Sequence, residues 1–216
     1  MKTLKLLKEF VDMGSLQIIT EGKDGKGVKF KGPFLQSEVK NKNGRTYSKG
    51  LYTREVDLFN KEKISKSRAM GELDHPPSPV VNLSRVSHNI ESLVMEGNDG
   101  IGEAKILDTP MGRIASSLIK GGVVLGVSTR GVGTIGKGNN VNEDYKLITV
   151  DLVADPSAPN SFVDGILENK EFIMDGDNIV EVSIDQLKKK MDKGRPSSNE
   201  VLKYVQSFLY DIGKGI

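Results

Sequence analysis

Arg85-Val86-Ser87-His88-Asn89-Ile90-Glu91-Ser92-Leu93-Val94-Met95, then Gly97-Asn98-Asp99-Gly100, then Ile101-Gly102-Glu103-Ala104-Lys105-Ile106-Leu107: this run decides the fold class. Its two halves are short, rich in apolar β-formers and broken by polar positions, and the Gly-Asn-Asp-Gly link between them is a hairpin turn. An antiparallel pair at the middle of the chain makes the protein mainly β. The neighbouring segments extend that reading. Residues 28–38 alternate with period two and read as a strand. Residues 40–44 are a polar turn, and residues 47–61 carry Leu51, Val56, Leu58 and Phe59 in a helical pattern. Thr109-Pro110 is an N-cap and first-turn pair for a helix to Lys120, stopped by Gly121-Gly122. Residues 123–129 and 147–154 read as two further strands with at least one buried side.

The ends differ from this centre. Residues 1–14 place Leu4, Leu7, Phe10 and Val11 among lysines and acids, the pattern of a short amphipathic helix, with no continuous apolar stretch or cleavage site of a signal peptide. Residues 183–193 and 197–210 read as two helices, the second opened by a Ser197/Glu200 capping box. The chain therefore divides into an amphipathic N-terminal segment (1–27), a main domain (28–163), and a connector with a helical tail (164–216).

Composition limits the chemistry. The 216 residues contain no Cys, two His, 24 Gly and a formal net charge of +2. Disulfides, thiolate catalysis and Cys-based zinc sites are excluded, and the charge gives no basis for specific nucleic-acid binding. No segment approaches the length of a membrane span, so a soluble, intracellular protein is expected.

With two histidines, His75 and His88, any imidazole chemistry is quickly located. His75 stands in Gly71-Glu72-Leu73-Asp74-His75-Pro76-Pro77, where the prolines restrict the backbone. A rigidly held His suits a general base, although a His that caps a turn fits the same stretch. His88 lies mid-strand, where a structural role is the default. Ser128 sits in Gly126-Val127-Ser128-Thr129-Arg130-Gly131-Val132-Gly133. A strand delivers its hydroxyl, and the glycines allow a substrate backbone to come close. Backbone N–H groups around Arg130 and Gly131 could serve a developing oxyanion. The same glycines also fit a β-turn or a phosphate cradle, but the Gly-x4-Gly-Lys-Ser/Thr order is missing. Asp151 interrupts the apolar run 147–154, where a carboxylate is costly unless paired, and an imidazole N–H would pair it. Asp155 shares its strand parity; depth in the apolar run favours Asp151.

Four motifs in order, Asn41-x-Asn43-Gly44-Arg45-x-Tyr47, Gly71-x-Leu73-Asp74-His75-Pro76, Gly126-Val127-Ser128-x-Arg130-Gly131 and Val150-Asp151-Leu152-Val153 followed by Pro156-Ser157-Ala158-Pro159, resemble the prohead core proteases of T-even-type tailed phages. That family is distantly similar to the assemblin proteases of herpesviruses. The resemblance covers about residues 30–163. It implies a Greek-key antiparallel β-barrel with peripheral helices, here with a helical C-terminal appendage. It also implies a serine endopeptidase with His75 and Ser128 as base and nucleophile. Herpesvirus relatives use a second His as third member; this chain has none there, and Asp151 stands in the comparable stretch. The implied setting is the prohead inside the host cytoplasm, with scaffold protein, major capsid protein and the enzyme itself as substrates. Homo-oligomers are within its scope, since herpesvirus relatives dimerise. Cleavage after Leu/Ile-x-Glu is implied, and matches end at Glu9, Glu21, Glu168 and Glu181, with a further one at Glu103 inside an expected strand. An acidic residue before the cut needs a cation, for which Arg45, Arg85 and Arg130 are the candidates. This chemistry requires no metal and no organic cofactor. Two rivals stand beside it: a catalytically silent scaffold or capsid-assembly module of the same fold, and a glycine-loop phosphate binder.

Overall fold

The computed structural model describes residues 4–10, 16–21, 27–154, 171–175 and 178–182. The central hairpin is present as β5 (Val86–Glu96) and β6 (Asp99–Ile106). Glu96 pairs with Asp99, which leaves the two-residue loop Gly97-Asn98, with Gly97 at φ +65°. Around it lie β3 (Gly27–Gln36), β2 (Gln17–Glu21) and the three-residue β4 (Met70–Glu72). Together they form one sheet in the order β2-β3-β6-β5-β4.

A second five-stranded sheet combines β1 (Leu4–Phe10), β7 (Gly126–Gly133), β8 (Lys146–Val153), β9 (Glu171–Asp175) and β10 (Asn178–Val182), in the order β10-β9-β1-β7-β8. Buried Phe30, Phe34, Leu35, Ile90 and Leu93 of the first sheet and Val127, Val150 and Leu152 of the second belong to one core. Helix α1 (Lys49–Glu62) adds Leu51, Tyr52, Val56 and Phe59 to it and begins at Ser48, whose hydroxyl accepts from Leu51 N–H at 3.1 Å. Helix α2 (Pro110–Lys120) has the expected Thr109 cap and Pro at its start. Among the described residues no helix is long and apolar enough to cross a membrane.

Three expectations are corrected. The strands are mainly antiparallel, but among the described residues they form two sheets with free edges and not a closed barrel. Strand β4 stops after Glu72 because Pro76, Pro77 and Pro79 have no N–H for a ladder. A parallel bridge from Leu73 to Leu152 and hydrogen bonds from Asp74 N–H to Leu152 O (2.7 Å), Glu72 N–H to Asp151 Oδ1 (3.0 Å) and the Thr149 hydroxyl to Met70 O (2.7 Å) carry the chain across to β8. The second correction concerns the N-terminus, where residues 4–10 are a strand and not a helix. The open edge of β7 offers a row of backbone groups, and pairing with them outweighs a short helix that would be marginal by itself. Alternation then sorts the side chains. Leu4 and Leu6 meet Val132 and Ile148, while Leu7 enters the main core. Third, the strand expected over 123–129 begins at Gly126, because Gly122 (φ +84°) and Val123 N–H complete the exit of α2. The helices expected over 183–193 and 197–210 lie outside the described residues.

His88 is a packing residue. Its ring is fully buried, with Nε2–H donating to Val150 O (2.9 Å) and Nδ1 accepting from the Ser87 hydroxyl (2.8 Å). Gly71 makes room for it, since a Cβ at that position would lie 2.2 Å from Nε2. Burial lowers the His88 pKa to about 4, so the ring is neutral in the folded chain. As pH falls below about 6.5 the unfolded chain takes up a proton that the folded chain refuses until about pH 4. Wild type should therefore lose up to about 3 kcal/mol of stability over that window through this one group. In His88→Gln that part of the pH slope should vanish, as read from denaturant unfolding at a series of pH values; an unchanged slope would refute the assignment.

Candidate active site

The site is assembled by the register of β7 against β8. Ser128 faces Asp151 directly across the ladder, so the two side chains share one side of the sheet, and Arg130, two residues on, shares it too. Asp151 is fully buried in an otherwise apolar strand. Its charge is answered by Arg130, also fully buried, through Nε to Oδ2 at 2.9 Å and Nη2 to Oδ1 at 3.1 Å. Glu72 N–H donates to the same Oδ1 at 3.0 Å. Burial alone would raise the Asp151 pKa; the hydrogen bond from His75, the Arg130 charge and the Glu72 N–H outweigh it and hold the carboxyl below its usual range. Arg130 is shared with a second buried carboxylate, Glu72 Oε1 at 3.0 Å, and its Nη1 donates to Ser78 O at 2.6 Å. One guanidinium thus ties β4, β7, β8 and the proline loop together.

His75 arrives on that proline loop. Asp74 takes a left-handed conformation (φ +69°), and its carboxylate accepts the His75 N–H at 2.8 Å. This turn follows directly on the Asp74–Leu152 bond, so the loop meets β8 next to Asp151. The result is a bond between His75 Nδ1 and Asp151 Oδ2 at 3.1 Å. Facing an ionised carboxylate, Nδ1 carries a hydrogen, and in the neutral form of the ring Nε2 is the nitrogen that keeps its lone pair. Nε2 is buried and, among the described residues, has no hydrogen-bond partner.

Ser128 is 2 % exposed, and its hydroxyl donates to the main-chain oxygen of Glu9 at 2.9 Å. Strand β1 lies along β7 with Leu7 opposite Gly131, Lys8 opposite Arg130, Glu9 opposite Thr129 and Phe10 opposite Ser128. The peptide carbonyl between Glu9 and Phe10 is therefore the one at the hydroxyl, and Thr129 Oγ1 also approaches it at 3.3 Å. The Glu9 carboxylate is buried among Asn41, Asn43, Arg45 and Tyr47.

The three residues expected to carry the chemistry thus fall in one place, through two direct links: Ser128 opposite Asp151, and Asp151 bonded to His75. Ser128 and His75 are not bonded to each other, since the hydroxyl is engaged by Glu9. Gly131 lies in a strand and not in a turn. Its backbone runs beside β1, and a Cβ there would be 2.4 Å from the Tyr145 ring. The Arg130 head group faces Asp151 and Glu72, and Arg85 lies by Glu72 and Asp74; the cation at the Glu9 carboxylate is Arg45. Asp155 and Glu168 lie outside the described residues. Glu21 and Glu181 end up in β2 and β10. Glu72 and Thr129 were not singled out from the sequence. Glu72 had a signal, an acid between Gly71 and Leu73 in the motif that holds His75, whereas nothing local marked Thr129. Among the described residues no three His, Asp or Glu side chains gather as a metal site.

Known proteins resemble this chain in sequence and in fold. The profile of a family described as prohead core protein serine protease matches residues 9–171. The prohead core protein protease of Enterobacteria phage T4 is 36% identical over 157 residues, spanning 66% of this chain and 74% of that protein. The solved structure of the bacteriophage T4 capsid assembly protease superposes with a TM-score of 0.63 at 32% identity, over 70% of this chain and 99% of the other.

Removing the shared guanidinium tests the network directly. Arg130→Met leaves Asp151 and Glu72 buried without their counter-cation and should destabilise the fold by about 3–5 kcal/mol. Arg130→Lys should recover only part of this, since one ammonium cannot span both carboxylates and Ser78 O. Urea unfolding of the two variants reads the difference; equal stability to wild type would show that the network is not a structural tie.

Proposed function

The chain belongs to the prohead core protein serine protease family, and we propose that it works as a serine endopeptidase of phage capsid maturation with Ser128 as nucleophile, His75 as general base and Asp151 as the residue that orients the base. The observation that carries this reading is the Ser128 hydroxyl on the Glu9 carbonyl oxygen, across the ladder from a buried carboxylate that holds Nδ1 of His75.

The chemistry follows from those positions. The Ser128 O–H rotates from the carbonyl oxygen to His75 Nε2, which takes its proton as Oγ bonds to the carbonyl carbon. The negative charge moves onto the carbonyl oxygen, where the Thr129 hydroxyl, at 3.3 Å, is a side-chain donor besides Ser128 itself. His75, now positive and paired with Asp151, returns the proton to the departing nitrogen as the C–N bond breaks. Water then repeats the sequence on the acyl-enzyme, giving a free carboxylate and restoring Ser128. Asp151 keeps Nδ1–H fixed throughout.

Strand pairing supplies the binding mode. A substrate in extended form adds to β7 as β1 does, with main-chain bonds for affinity and side-chain pockets for selectivity. The T4 relative is named as a capsid assembly protease. On that basis the substrates proposed here are scaffold and major capsid proteins within the prohead, together with this chain. Cutting after Leu/Ile-x-Glu makes Leu7-Lys8-Glu9 the first self-processing site, with Glu21, Glu168 and Glu181 as further ones. Glu181 is backbone-paired in β10 and has to leave its strand before it is cut.

Incubation of the full chain, followed by mass spectrometry of the fragments, provides the test. Wild type should yield a product beginning at Phe10, and Ser128→Ala should stay intact. Ser128→Ala and His75→Ala should each lower turnover by about 10⁴–10⁶, and the pair together little more. Asp151→Asn should cost about 10⁴. A wild-type chain that remains whole and cuts no partner under assembly conditions would favour a silent assembly module of the same fold.

A further inference from the structure

The loop from Asn41 to Tyr47 has no part in the chemistry above, yet it closes around a carboxylate. Asn41 Nδ2 and Asn43 Nδ2 donate to Glu9 Oε2 at 2.6 and 2.9 Å, while Arg45 Nε and Tyr47 O–H donate to Oε1 at 2.5 and 2.7 Å. Glu9 is 3 % exposed. From this geometry we infer that Asn41, Asn43, Arg45 and Tyr47 form the specificity pocket for an acidic side chain on the residue whose carbonyl Ser128 attacks. The inference rests on the protease reading and adds to it the residues that choose the substrate.

Two observations separate a pocket from a chance burial of one glutamate. First, the loop is shaped by bonds that do not involve β1. Asn41 O accepts from Gly44 N–H, Asn41 Oδ1 accepts from Arg45 N–H, and Asn41 N–H donates to Arg45 O, each at 2.9 Å. Tyr47 is anchored through its carbonyl to Glu38 N–H at 2.8 Å, and its ring stacks on Tyr52 at 4.6 Å. A second strand carrying another glutamate would find the same donors in place. Burial, and then the neighbouring Glu9 charge, push the Tyr47 pKa well above its usual value, so its hydroxyl stays a donor. Second, the loop also reads the backbone one residue earlier. Asn43 Nδ2 and Arg45 Nη2 donate to Lys8 O at 2.8 and 3.2 Å. Side chain and main chain are thus held together, and the carbonyl at Ser128 is set by both.

Four donors and one positive charge around two oxygens discriminate sharply. Glutamine would turn an NH₂ group toward two of the donors and leave them buried without acceptors. Aspartate is shorter by one methylene and would not reach them from the same backbone position.

The test uses the full chain and two peptides of sequence Leu-Lys-Glu-Phe-Val-Asp, one of them with Gln in place of Glu. Competition from the N-terminal strand lowers both rates alike and leaves their ratio intact. Wild type should favour the Glu peptide in kcat/KM by about 10² or more. Arg45→Met should reduce that preference to within about tenfold. Asn41→Asp, nearly isosteric and still able to accept the Arg45 N–H, should reverse it by opposing one carboxylate with another. A preference that survives both substitutions, or an equal loss on both peptides, overturns the pocket. So does a wild-type chain that cuts both peptides equally in a Ser128-dependent way, and in that case the protease reading stands. Absence of any Ser128-dependent cleavage removes the protease reading itself, and the pocket with it.

Discussion

Everything at this site depends on keeping Asp151 ionised inside an apolar strand. An isolated carboxylate there would protonate or unfold its surroundings. Arg130 prevents that, but a buried guanidinium must itself be satisfied, and one carboxylate is not enough. Glu72 and the Ser78 carbonyl supply it with further acceptors. The ion cluster joins β4 of one sheet to the paired strands β7 and β8 of the other. Its net worth in stability is small beside the loss that follows when one partner is removed. What it secures is position: the carboxylate that faces His75 has no freedom to turn away.

The proline loop is the complement of that network. Its prolines end β4 early and deny the first sheet a longer edge, which separates the two sheets. The same interruption frees His75 from a ladder and lets Asp74 turn the chain onto β8. A fold that gained a longer β4 would lose the imidazole from Asp151. Architecture and chemistry are here two consequences of one short stretch, Glu72 to Pro79.

The N-terminal strand gives the edge of β7 its meaning. Nothing in residues 1–14 taken alone favours a strand, and the lysines and leucines fit a helix equally well. The choice is made by the unpaired edge of β7, which lies more than a hundred residues away. Once that pairing forms, period-two alternation sends Leu7 and Glu9 to one side and Lys8 to the other. Glu9 then reaches Arg45 and the two asparagines, while its carbonyl reaches Ser128.

The sequence by itself determined the local units: the 85–107 hairpin, the Thr109-Pro110 start of a helix, a rigid His75, a hydroxyl among glycines, and a carboxylate that needed a partner. These are legible because propensity, capping and the cost of a buried charge act over a few residues. It also determined the order of motifs by which the family is recognised. Only the tertiary structure decided which groups meet: Asp151 with His75 and Arg130, Arg45 rather than Arg85 or Arg130 with Glu9, and strand rather than helix at the N-terminus. Two sheets in place of a closed barrel, and the packing role of Gly131 against Tyr145, belong to the same class. Register, sheet edges and charge neutralisation are contacts between distant parts of the chain, and no local window contains both members of such a pair.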